Sequence, residues 1–429
     1  MNLLLLEDGL YYKSKSIKTP LVDEVKILYA DYTGSGLPSP IIDKYLVDNI
    51  YPYYANTHSN SFCSQYMNNQ IELTKNYIKK TMNVKPNQSI LFTGNGTTGA
   101  TNHLINSLNF NKYNKINVLI SLYEHHSNFL PWVEKAKIYD NINLILIPLN
   151  DGLIDYNKYN EILSSLNKYD LTITSITACS NVSGIKTDLV KIRQMINYYF
   201  GNKSLLFVDY ASSAPYVKID ASICNAIFIS PHKLIGGNST PGLLIADSNL
   251  FMNKCPYAPG GGCVKKANDE IIEYIDDIEE RESSGTPNII GIIKIRLALI
   301  LKDKLFNVIN HNEHEIINYV HFKLNEIKNK YPQLTVLYLN KHLNNRLPII
   351  CISIKDMHFN EIVKLLNDKY GIQTRGGISC SGLFAKHIEN TIGIKGWCRI
   401  TFHWSMTQSD VDHILNSISS IIKKLKIIN

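Results

Sequence analysis

The chain has 429 residues, of which 45% are hydrophobic and 19% are charged, an ordinary composition for a globular protein with sizeable cores. Its net charge of +7 is mild for this length, and its lysines are scattered, which argues against nucleic-acid binding. The eight cysteines form no CxxC pair, so we expect neither a zinc site nor another metal, and no disulfide framework.

The chain shows no pattern for export or membrane insertion. The apolar run within the N-terminal "MNLLLLEDGL" is too short for a signal peptide. No run approaches the roughly 18 apolar residues of a membrane span. Scattered free cysteines suit a reducing compartment. These features predict a cytoplasmic protein without a membrane partner.

Seven short β-rich runs alternate with helical patterns through the first two thirds of the chain. Buried parallel strands read as continuous apolar runs, and alternation with helices predicts an α/β fold whose mostly parallel sheet is covered on both faces. Amphipathic stretches such as Ile71–Asn83 and Leu189–Phe200 predict the helices. The predicted strands are Ser89–Gly94, Ile116–Ser121, Ile142–Leu149, Leu171–Ala178, Ser204–Asp209, Ala226–Ser230 and Gly242–Ala246.

The last third of the chain predicts a smaller α+β domain. A long helix begins within Thr286–Phe306, and further strands and helices follow it at Gln333–Leu339, Leu347–Ile354, Glu361–Tyr370 and Gln408–Lys426. We therefore expect an N-terminal segment at 1–25, a large domain at 26–300 and a small domain at 301–429.

Polar clusters follow several predicted strands, where ligands of open α/β sheets bind. The first, "FTGNGTTGATNHLI", is a strand, a glycine-bearing turn and a helix start. Free N–H groups of Gly96, Thr97 and Thr98 could hold a phosphate at the helix N-terminus. An ordinary capped turn explains this stretch equally well.

Two further clusters are weaker when taken alone. In "YEHHSNFLPW" two adjacent histidines cannot face the same way, so only one of His125 and His126 is a candidate for the site. Its imidazole could stack on an aromatic ring or relay a proton, although a structural histidine is the simpler interpretation. Asn181 follows the strand Leu171–Ala178 and could donate to a phenolate oxygen, or act only as a turn residue.

An acid and an amine end two successive strands. Asp209 closes a buried strand, where a carboxylate needs a partner such as a protonated ring nitrogen. Lys233 follows the next strand, and a lysine that is desolvated or beside positive charge can form an imine with an aldehyde. Ser230 and His232 stand next to it and could donate to a phosphate.

The predicted small domain contributes a thiol and two arginines. Cys380 lies five residues after Arg375 in "TRGGISCSG", a loop whose glycines predict mobility and whose positive charge favours thiolate. Arg399 sits inside an apolar strand, where its guanidinium requires a carboxylate. That carboxylate is either the substrate's, which we favour, or a fixed Asp or Glu.

In this order the motifs resemble those of the class V, fold type I pyridoxal-phosphate (PLP) enzymes. The closest members of that family are the group II cysteine desulfurases and the neighbouring proteins described as aminotransferases. The resemblance runs from about Tyr29 to the C-terminus and implies fold type I, with a mostly parallel seven-stranded sheet. Its landmarks are "YADYTGSGLP", "YANTHS", "FTGNGTTGATN", "YEHHSNFLPW", "CSNVSG", "FVDYASSAP", "FISPHK", "RESSGTPNIIG", "TRGGISCSG" and "WCRITF".

The resemblance also implies roles by position. Lys233 would form the Schiff base with pyridoxal 5′-phosphate, Asp209 would pair with the pyridinium nitrogen, and Cys380 would accept sulfur. The remaining implied roles are ring stacking and catalysis by His125, a ring-hydroxyl contact from Asn181, phosphate binding by Thr97, Thr98, Ser230 and His232, and substrate binding by Arg399 and Arg375. In a homodimer with shared active sites, Gly285 and Thr286 of the neighbouring subunit would complete the phosphate site.

Two departures bear on the sulfur chemistry. Ser212 stands where the desulfurase pattern usually has glutamine, and Ile378 and Ser379 stand where histidines usually precede the cysteine. The leading hypothesis is a cysteine desulfurase that acts on a small L-amino acid and passes sulfur to an acceptor protein. A class V aminotransferase or another PLP lyase, in which Cys380 is not catalytic, is the alternative. A non-catalytic relative is the third.

Overall fold

The structure, a computed structural model, describes residues 10–12 and 14–428 without the side chains at 202 and 425–428. The N-terminal leucine run, and with it residues 1–9 of the predicted segment 1–25, lies outside the described residues.

The described chain alternates strands and helices. The strands are β1 (Ser16–Ile17), β2 (Val25–Lys26), β3 (Leu28–Tyr29), β4 (Gln88–Thr93), β5 (Ile116–Ser121), β6 (Ile142–Ile147), β7 (Leu149–Asn150), β8 (Leu153–Ile154), β9 (Leu171–Thr177), β10 (Ser204–Asp209), β11 (Ala226–Ile229), β12 (Gly242–Asp247), β13 (Val264–Ala267), β14 (Ile272–Tyr274), β15 (Leu334–Val336), β16 (Ile349–Ile354), β17 (Ile372–Gln373), β18 (Arg375–Gly377) and β19 (Trp397–Thr401). The helices are α1 (Pro40–Asn49), α2 (Phe62–Thr81), α3 (Gly96–Ser107), α4 (His126–Ile138), α5 (Tyr156–Ser165), α6 (Leu189–Phe200), α7 (Ile278–Arg281), α8 (Ile289–Lys330), α9 (Phe359–Tyr370), α10 (Gly382–Ile392) and α11 (Gln408–Ile428).

Seven strands form the central sheet, in the spatial order β4-β12-β11-β10-β9-β5-β6. Only β12 runs antiparallel to its neighbours, and the other pairs of this sheet are parallel. All seven predicted strands are present, and the predicted α/β fold with a mostly parallel sheet is confirmed. Because β4 is antiparallel to β12, it points the same way as the parallel strands, so the six strands β4, β5, β6, β9, β10 and β11 end at one edge.

Both faces of this sheet are buried, which explains why its strands are continuous apolar runs. Phe207 faces one side of the sheet, where it stacks on Trp132 of α4 with ring centroids 6.2 Å apart. Val208, the next residue, belongs to the apolar cluster on the other side, together with Ile192 of α6 and Ile293 of α8. Alternate residues of one strand therefore hold helices on both faces.

The C-terminal part has a second sheet, β15-β16-β19-β18, and a separate apolar core shared with α9 and α11. Helix α8 has 42 residues and runs unbroken through the predicted boundary at 300/301. Its first half packs in the core of the large sheet and its second half in the core of the small one. The division into domains at that boundary stays a prediction.

The chain around residue 30 is built into the C-terminal sheet region. β3 pairs in parallel with β17, the Ala30 N–H donates to the Gln373 carbonyl at 2.9 Å, and the Thr401 N–H donates to the Ala30 carbonyl at 2.8 Å. Asp31 thereby lies beside β19, which carries Arg399.

Two predicted strands are shorter than expected. The run Ile142–Leu149 is interrupted at Pro148, because proline cannot donate to a strand ladder. The run Gln333–Leu339 forms a strand only at Leu334–Val336, and the chain then turns, with Tyr338 in the left-handed region at φ 51°.

Candidate active site

A cavity of about 220 Å³ opens at the edge where β4, β5, β9, β10 and β11 end. Eleven predicted site residues line it, namely Thr97, Thr98, His125, Asn181, Asp209, Ser230, His232, Lys233, Arg375, Cys380 and Arg399, whereas Gly96, Gly285 and Thr286 do not. The C-terminal residues of the parallel strands lie at the same edge of the sheet, where the sequence predicted the ligand-binding residues.

Lys233 lies in a short 3-10 turn, Pro231–Lys233, directly after β11. Its N–H donates to the Ser230 carbonyl at 3.0 Å, which fixes the turn. Burial lowers the pKa of the Lys233 ammonium to about 8, although Asp209 opposes this effect, and Arg399 lowers the pKa further. A fraction of the amine is therefore neutral near physiological pH, as attack on an aldehyde requires.

The loop that contains Gly36 lies close against the turn that carries Lys233, and the absence of a side chain at Gly36 allows this approach. Its N–H donates to the His232 carbonyl at 3.0 Å. A Cβ atom at position 36 would lie 2.2 Å from the Leu234 carbonyl oxygen and 2.8 Å from that of Lys233. Only glycine fits there without moving the backbone that carries Lys233.

Asp209 closes β10 as a buried carboxylate with 1% exposure. Its Oδ1 accepts the N–H of Ala211 at 2.7 Å and the hydroxyl of Thr97 at 3.2 Å. Burial raises the pKa of Asp209, and the Ala211 bond, Lys233 and the Thr97 bond oppose that rise. Both hydrogen bonds end on one oxygen, so Oδ2 is left for a cationic N–H group.

The glycine-bearing turn begins helix α3 at Gly96, as predicted. The expectation that its first N–H groups are free was wrong for Thr97, whose N–H donates to Ser230 Oγ at 2.9 Å. That bond ties the turn to the segment that carries Lys233. The hydroxyl of Thr98 pairs with that of Ser127 at 2.6 Å. Hydroxyl groups, the imidazole of His232 and the start of α3 together form a set of donors that suits a phosphate.

The two adjacent histidines do face different ways. His125 lines the cavity and caps helix α4, with Nδ1 accepting the N–H of Ser127 at 3.1 Å. Burial and then Lys233 lower the pKa of His125 to about 3, so its ring is neutral. His126 turns toward the loop of Cys380, where its Nε2 accepts the N–H of Gly382 at 3.0 Å.

Asn181 holds the same loop with both ends of its amide. Its Nδ2 donates to the Ser379 carbonyl at 2.8 Å, and its Oδ1 accepts the hydroxyl of Ser381 at 2.9 Å. One N–H of the amide remains for another acceptor, since Nδ2 carries two hydrogens. Asn181 thus joins the end of β9 to the loop that carries the thiol.

Cys380 is exposed at the rim of the cavity. Its loop is tied to other parts of the chain, because the Cys380 carbonyl accepts the N–H of His126 at 2.8 Å and Trp397 Nε1 donates to Ser379 Oγ at 3.0 Å, and its mobility stays a prediction. Ser379 and Cys380 both adopt φ 54°, a region that residues with a Cβ rarely occupy. The surrounding contacts therefore hold the backbone that carries the thiol in a strained conformation.

Arg399 has a fixed acidic partner, the alternative to a substrate carboxylate. Its Nη2 lies 2.8 Å from Asp31 Oδ1, and its Nη1 donates to the Asn181 carbonyl at 3.2 Å. Arg375 binds the other oxygen of Asp31, at 2.8 Å from Nη2. Asp31 was not among the predicted site residues, although it stands in the landmark "YADYTGSGLP". An acid within an apolar stretch was the signal that could have found it.

Glu124 is a second functional candidate that was missed. It is 1% exposed, and it accepts the N–H of Thr177 at 2.9 Å, the amide of Asn128 at 2.8 Å and the hydroxyl of Ser121. Burial raises the pKa of Glu124 to about 8 despite these bonds. The carboxyl group thus braces the ends of β5 and β9 behind the cavity.

The contacts of three other residues do not show that they could bind a ligand in this cavity. Ser212 lines the cavity, but its hydroxyl donates to the Cys179 carbonyl at 2.5 Å. Gly285 and Thr286 are exposed and lie outside the cavity of their own chain, where Thr286 Oγ1 accepts the amide of Asn56 at 3.2 Å. Among the described residues, no group of three or more His, Cys, Asp or Glu could hold a metal ion.

A family model described as Aminotransferase class-V matches residues 28–414. The chain belongs to the aminotransferase class-V family. Enzymes of this family use pyridoxal 5′-phosphate, so the predicted family, the PLP-dependent enzyme class and the cofactor are confirmed.

Curated members of the family match this chain over most of its length and most of their own. A probable cysteine desulfurase of Borreliella burgdorferi is 28% identical over 414 residues, which cover 94% of this chain and 93% of the relative. A cysteine desulfurase of Wigglesworthia glossinidia brevipalpis is 28% identical over 364 residues, which cover 84% of this chain and 83% of the relative. The predicted desulfurase type agrees with these names.

Solved structures of the family show the same fold. A cysteine desulfurase from Thermococcus onnurineus gives a TM-score of 0.81 at 20% identity and covers 93% of this chain and 95% of its own. The Escherichia coli cysteine desulfurase CsdA gives 0.75 at 22% identity, with 92% and 94% covered. The predicted fold type is confirmed. In the part of the chain that the structure describes, no helix is long and apolar enough to cross a membrane.

Proposed function

We propose that the protein is a cysteine desulfurase, which moves the sulfur of L-cysteine to the thiol of Cys380 and releases L-alanine. The observation that carries the proposal is that one cavity contains an exposed thiol at Cys380 together with Lys233 and Asp209. The names of the curated relatives support it.

The side chains of the cavity suit pyridoxal 5′-phosphate, which supplies an aldehyde and an electron-accepting ring when it is bound. Lys233 would hold the aldehyde, and the unpaired oxygen of Asp209 would hold the ring nitrogen. Ser230, His232 and Thr98 would bind the phosphate. The remaining N–H of the Asn181 amide is available for the ring hydroxyl, and His125 for the ring face.

Arg399 and Arg375 would bind the α-carboxylate of the substrate, since guanidinium groups match carboxylate geometry. The partly neutral amine of Lys233 would take the proton from the substrate Cα. Cys380 would then attack the substrate sulfur, so that the bond between sulfur and Cβ breaks and an S–S bond forms. The thiol proton ends on the new methyl group, which leaves L-alanine and a persulfide on Cys380.

The test is to incubate the cofactor-loaded protein with L-cysteine and a reductant and to measure sulfide and alanine. We expect wild type to release both in equal amounts and Cys380→Ala to release neither. Cys255→Ala is a matched control, because Cys255 is also exposed but lies outside the cavity. Equal release by wild type and Cys380→Ala would contradict the sulfur-acceptor role.

Two other results would favour the alternatives. Accumulation of pyridoxamine phosphate with an amino donor, without sulfide, would indicate an aminotransferase in which Cys380 is not catalytic. A protein that stays colourless after addition of the cofactor would indicate a non-catalytic relative.

We also propose that two copies of the chain form a homodimer with shared active sites. An exposed aromatic surface formed by Tyr51, Tyr53, Tyr54 and Phe62 supports this, since Phe62 is 71% exposed and adjoins Tyr53 at 6.1 Å between ring centroids. Contiguous apolar surface of this kind marks an interface. Asn56, which follows Tyr54 in the chain, donates a hydrogen bond to Thr286. Gly285 and Thr286 would therefore lie at the same interface and reach the partner's phosphate site.

Light scattering during size-exclusion chromatography tests the dimer. We expect Phe62→Lys to yield monomers that lose the cofactor, because a charge would be buried at the interface. Tyr198→Lys should remain dimeric, since Tyr198 is 83% exposed on α6 and is not part of the aromatic surface. A wild-type monomer that retains the cofactor would overturn the proposal.

The persulfide would pass from the exposed rim of the cavity to a sulfur-acceptor protein. We keep the cytoplasm as the predicted location, because persulfide transfer depends on reduced thiols.

A further inference from the structure

Three charged side chains meet at the wall of the cavity. Asp31 accepts Arg399 Nη2 on Oδ1 at 2.8 Å, and it accepts Arg375 Nε at 2.9 Å and Nη2 at 2.8 Å on Oδ2. Arg375 and Arg399 line the cavity, whereas Asp31 is not among the lining side chains. The Asp31 carboxylate therefore neutralises one of the two positive charges without facing the cavity.

The remaining donors point to a site for one carboxylate. Arg399 has five N–H bonds, of which one is used by Asp31 and one by the Asn181 carbonyl. Three N–H groups have no partner among the described residues, and since that of Nε is buried, the two donors left for a ligand are one N–H on each Nη. Those two donors can bind one carboxylate side by side.

The absence of a side chain at Gly34 leaves room for the ion pairs between Asp31 and the two arginines. A Cβ atom there would lie 2.7 Å from Asp31 Oδ2 and 2.9 Å from Arg375 Nη2. A side chain at position 34 would therefore push the carboxylate and Arg375 apart. The loop keeps room for the three-way ion pair, which joins residues near both ends of the chain.

From this arrangement we infer that Asp31 is a specificity-determining residue, which disfavours amino acids with a second carboxylate. With Asp31 in place the two arginines present a net charge of +1, which matches one α-carboxylate. Without it they would present +2, which would favour an amino acid with a second carboxylate. The inference rests on the proposed binding of an amino-acid substrate and names the residue that selects its class.

The electrostatic surroundings of Lys233 agree with this role. Burial is the main cause of its lowered pKa, and the two arginines add to the lowering, while Asp31 and Asp209 oppose it. Asp31 thus offsets the field of the arginines inside the cavity.

The experiment compares the binding of L-alanine and L-aspartate to the cofactor-loaded protein by calorimetry. For wild type we expect L-alanine to bind more tightly. In Asp31→Asn the ratio of the two dissociation constants should move toward L-aspartate by about tenfold or more, because an added unit charge acts over several ångströms at an effective dielectric of about 20. Asp247→Asn is the control, since Asp247 is also buried and pairs with Lys85 at 3.3 Å, at the opposite end of the sheet.

A second variant separates charge from structure. Adding Arg375→Gln to Asp31→Asn returns the net charge to +1, so we expect the ratio to return toward the wild-type value, which a merely structural role would not produce. Arg375→Gln alone should weaken the binding of both ligands, and of L-aspartate more, and it tests the inference even if Asp31→Asn does not fold.

The outcomes distinguish this inference from the proposed function. If wild type binds L-alanine and releases sulfide from L-cysteine, but the ratio stays the same in Asp31→Asn, only the role of Asp31 is wrong. A shifted ratio that the double variant does not restore also overturns it. If neither amino acid binds to wild type, the proposed function fails as well.

Discussion

The lowered pKa of Lys233 predicts how fast the cofactor-free protein takes up pyridoxal 5′-phosphate at each pH. Only the neutral amine can attack the aldehyde. With its pKa at about 8 rather than the ordinary 10.5, about half of Lys233 is neutral at pH 8, against roughly 0.3% of an ordinary lysine. The structure therefore predicts a gain of roughly 150-fold in reactive amine at that pH.

The assay follows the visible absorbance of the cofactor as it binds to cofactor-free protein between pH 6.5 and 10. The rate should rise with pH, with a midpoint near 8, and then level off. Borohydride reduction and peptide mass spectrometry should locate the cofactor on Lys233, and Lys233→Gln should take up none. Arg399→Gln should move the midpoint to higher pH, because Arg399 lowers the pKa of Lys233, and Asp209→Asn should move it lower.

The same pKa affects the stability of the cofactor-free protein. Between pH 8 and 10.5 the unfolded chain holds a proton on Lys233 that the folded chain has lost, so stability rises with pH in that window. The upper bound of this effect is about 3 kcal/mol. Burial lowers the pKa of Lys302 to about 8 as well, so Lys233→Gln is needed to isolate the contribution of Lys233.

A midpoint of uptake above pH 10 in wild type would refute this reasoning. So would a midpoint that neither Arg399→Gln nor Asp209→Asn moves, because the charges around the amine would then not control it.

Two further predictions concern residues that support the site. Gly36→Ala should slow cofactor uptake and cost about 1–3 kcal/mol of stability, because its Cβ would lie 2.8 Å from the Lys233 carbonyl oxygen. Gly261→Ala should leave the stability unchanged, since its Cβ would meet nothing within 4 Å, and an equal loss of stability in the two variants would contradict the close-approach argument. Glu124→Ala should cost about 2–4 kcal/mol in chemical denaturation, because it leaves buried donors unpaired. Glu134→Ala, at an exposed position of α4, should cost less than about 0.5 kcal/mol, and a similar loss in both would show that Glu124 does not brace the site.

Much of the site was predictable because its residues follow strands of the central sheet. Asp209 ends β10 and Lys233 follows β11, and parallel neighbours must bring their ends together. Apolar runs mark such strands clearly, since both faces of this sheet are buried. Their closeness also requires that β10 and β11 be neighbours in the sheet, which the strand pairing shows.

The loop of Cys380 was harder to predict. Its glycines suggested mobility, but the contacts that hold it come from His126 and Asn181, which are far away in the chain. Local composition describes an isolated loop, whereas the hydrogen bonds that the loop makes in the folded chain depend on residues distant in sequence.

The sequence by itself determined the order of strands and helices, the residues at the strand ends, and the family to which the chain belongs, because these depend on local periodicity and short motifs. Only the tertiary structure decided which acid pairs with Arg399. Asp31 reaches it because β3 pairs with β17 and Thr401 bonds to Ala30, contacts between residues near opposite ends of the chain. The pairing of Asp31 with Arg399 cannot be read from hydrophobic periodicity or from a short motif. It depends on how two separate sheets pack and not on the residues around either partner.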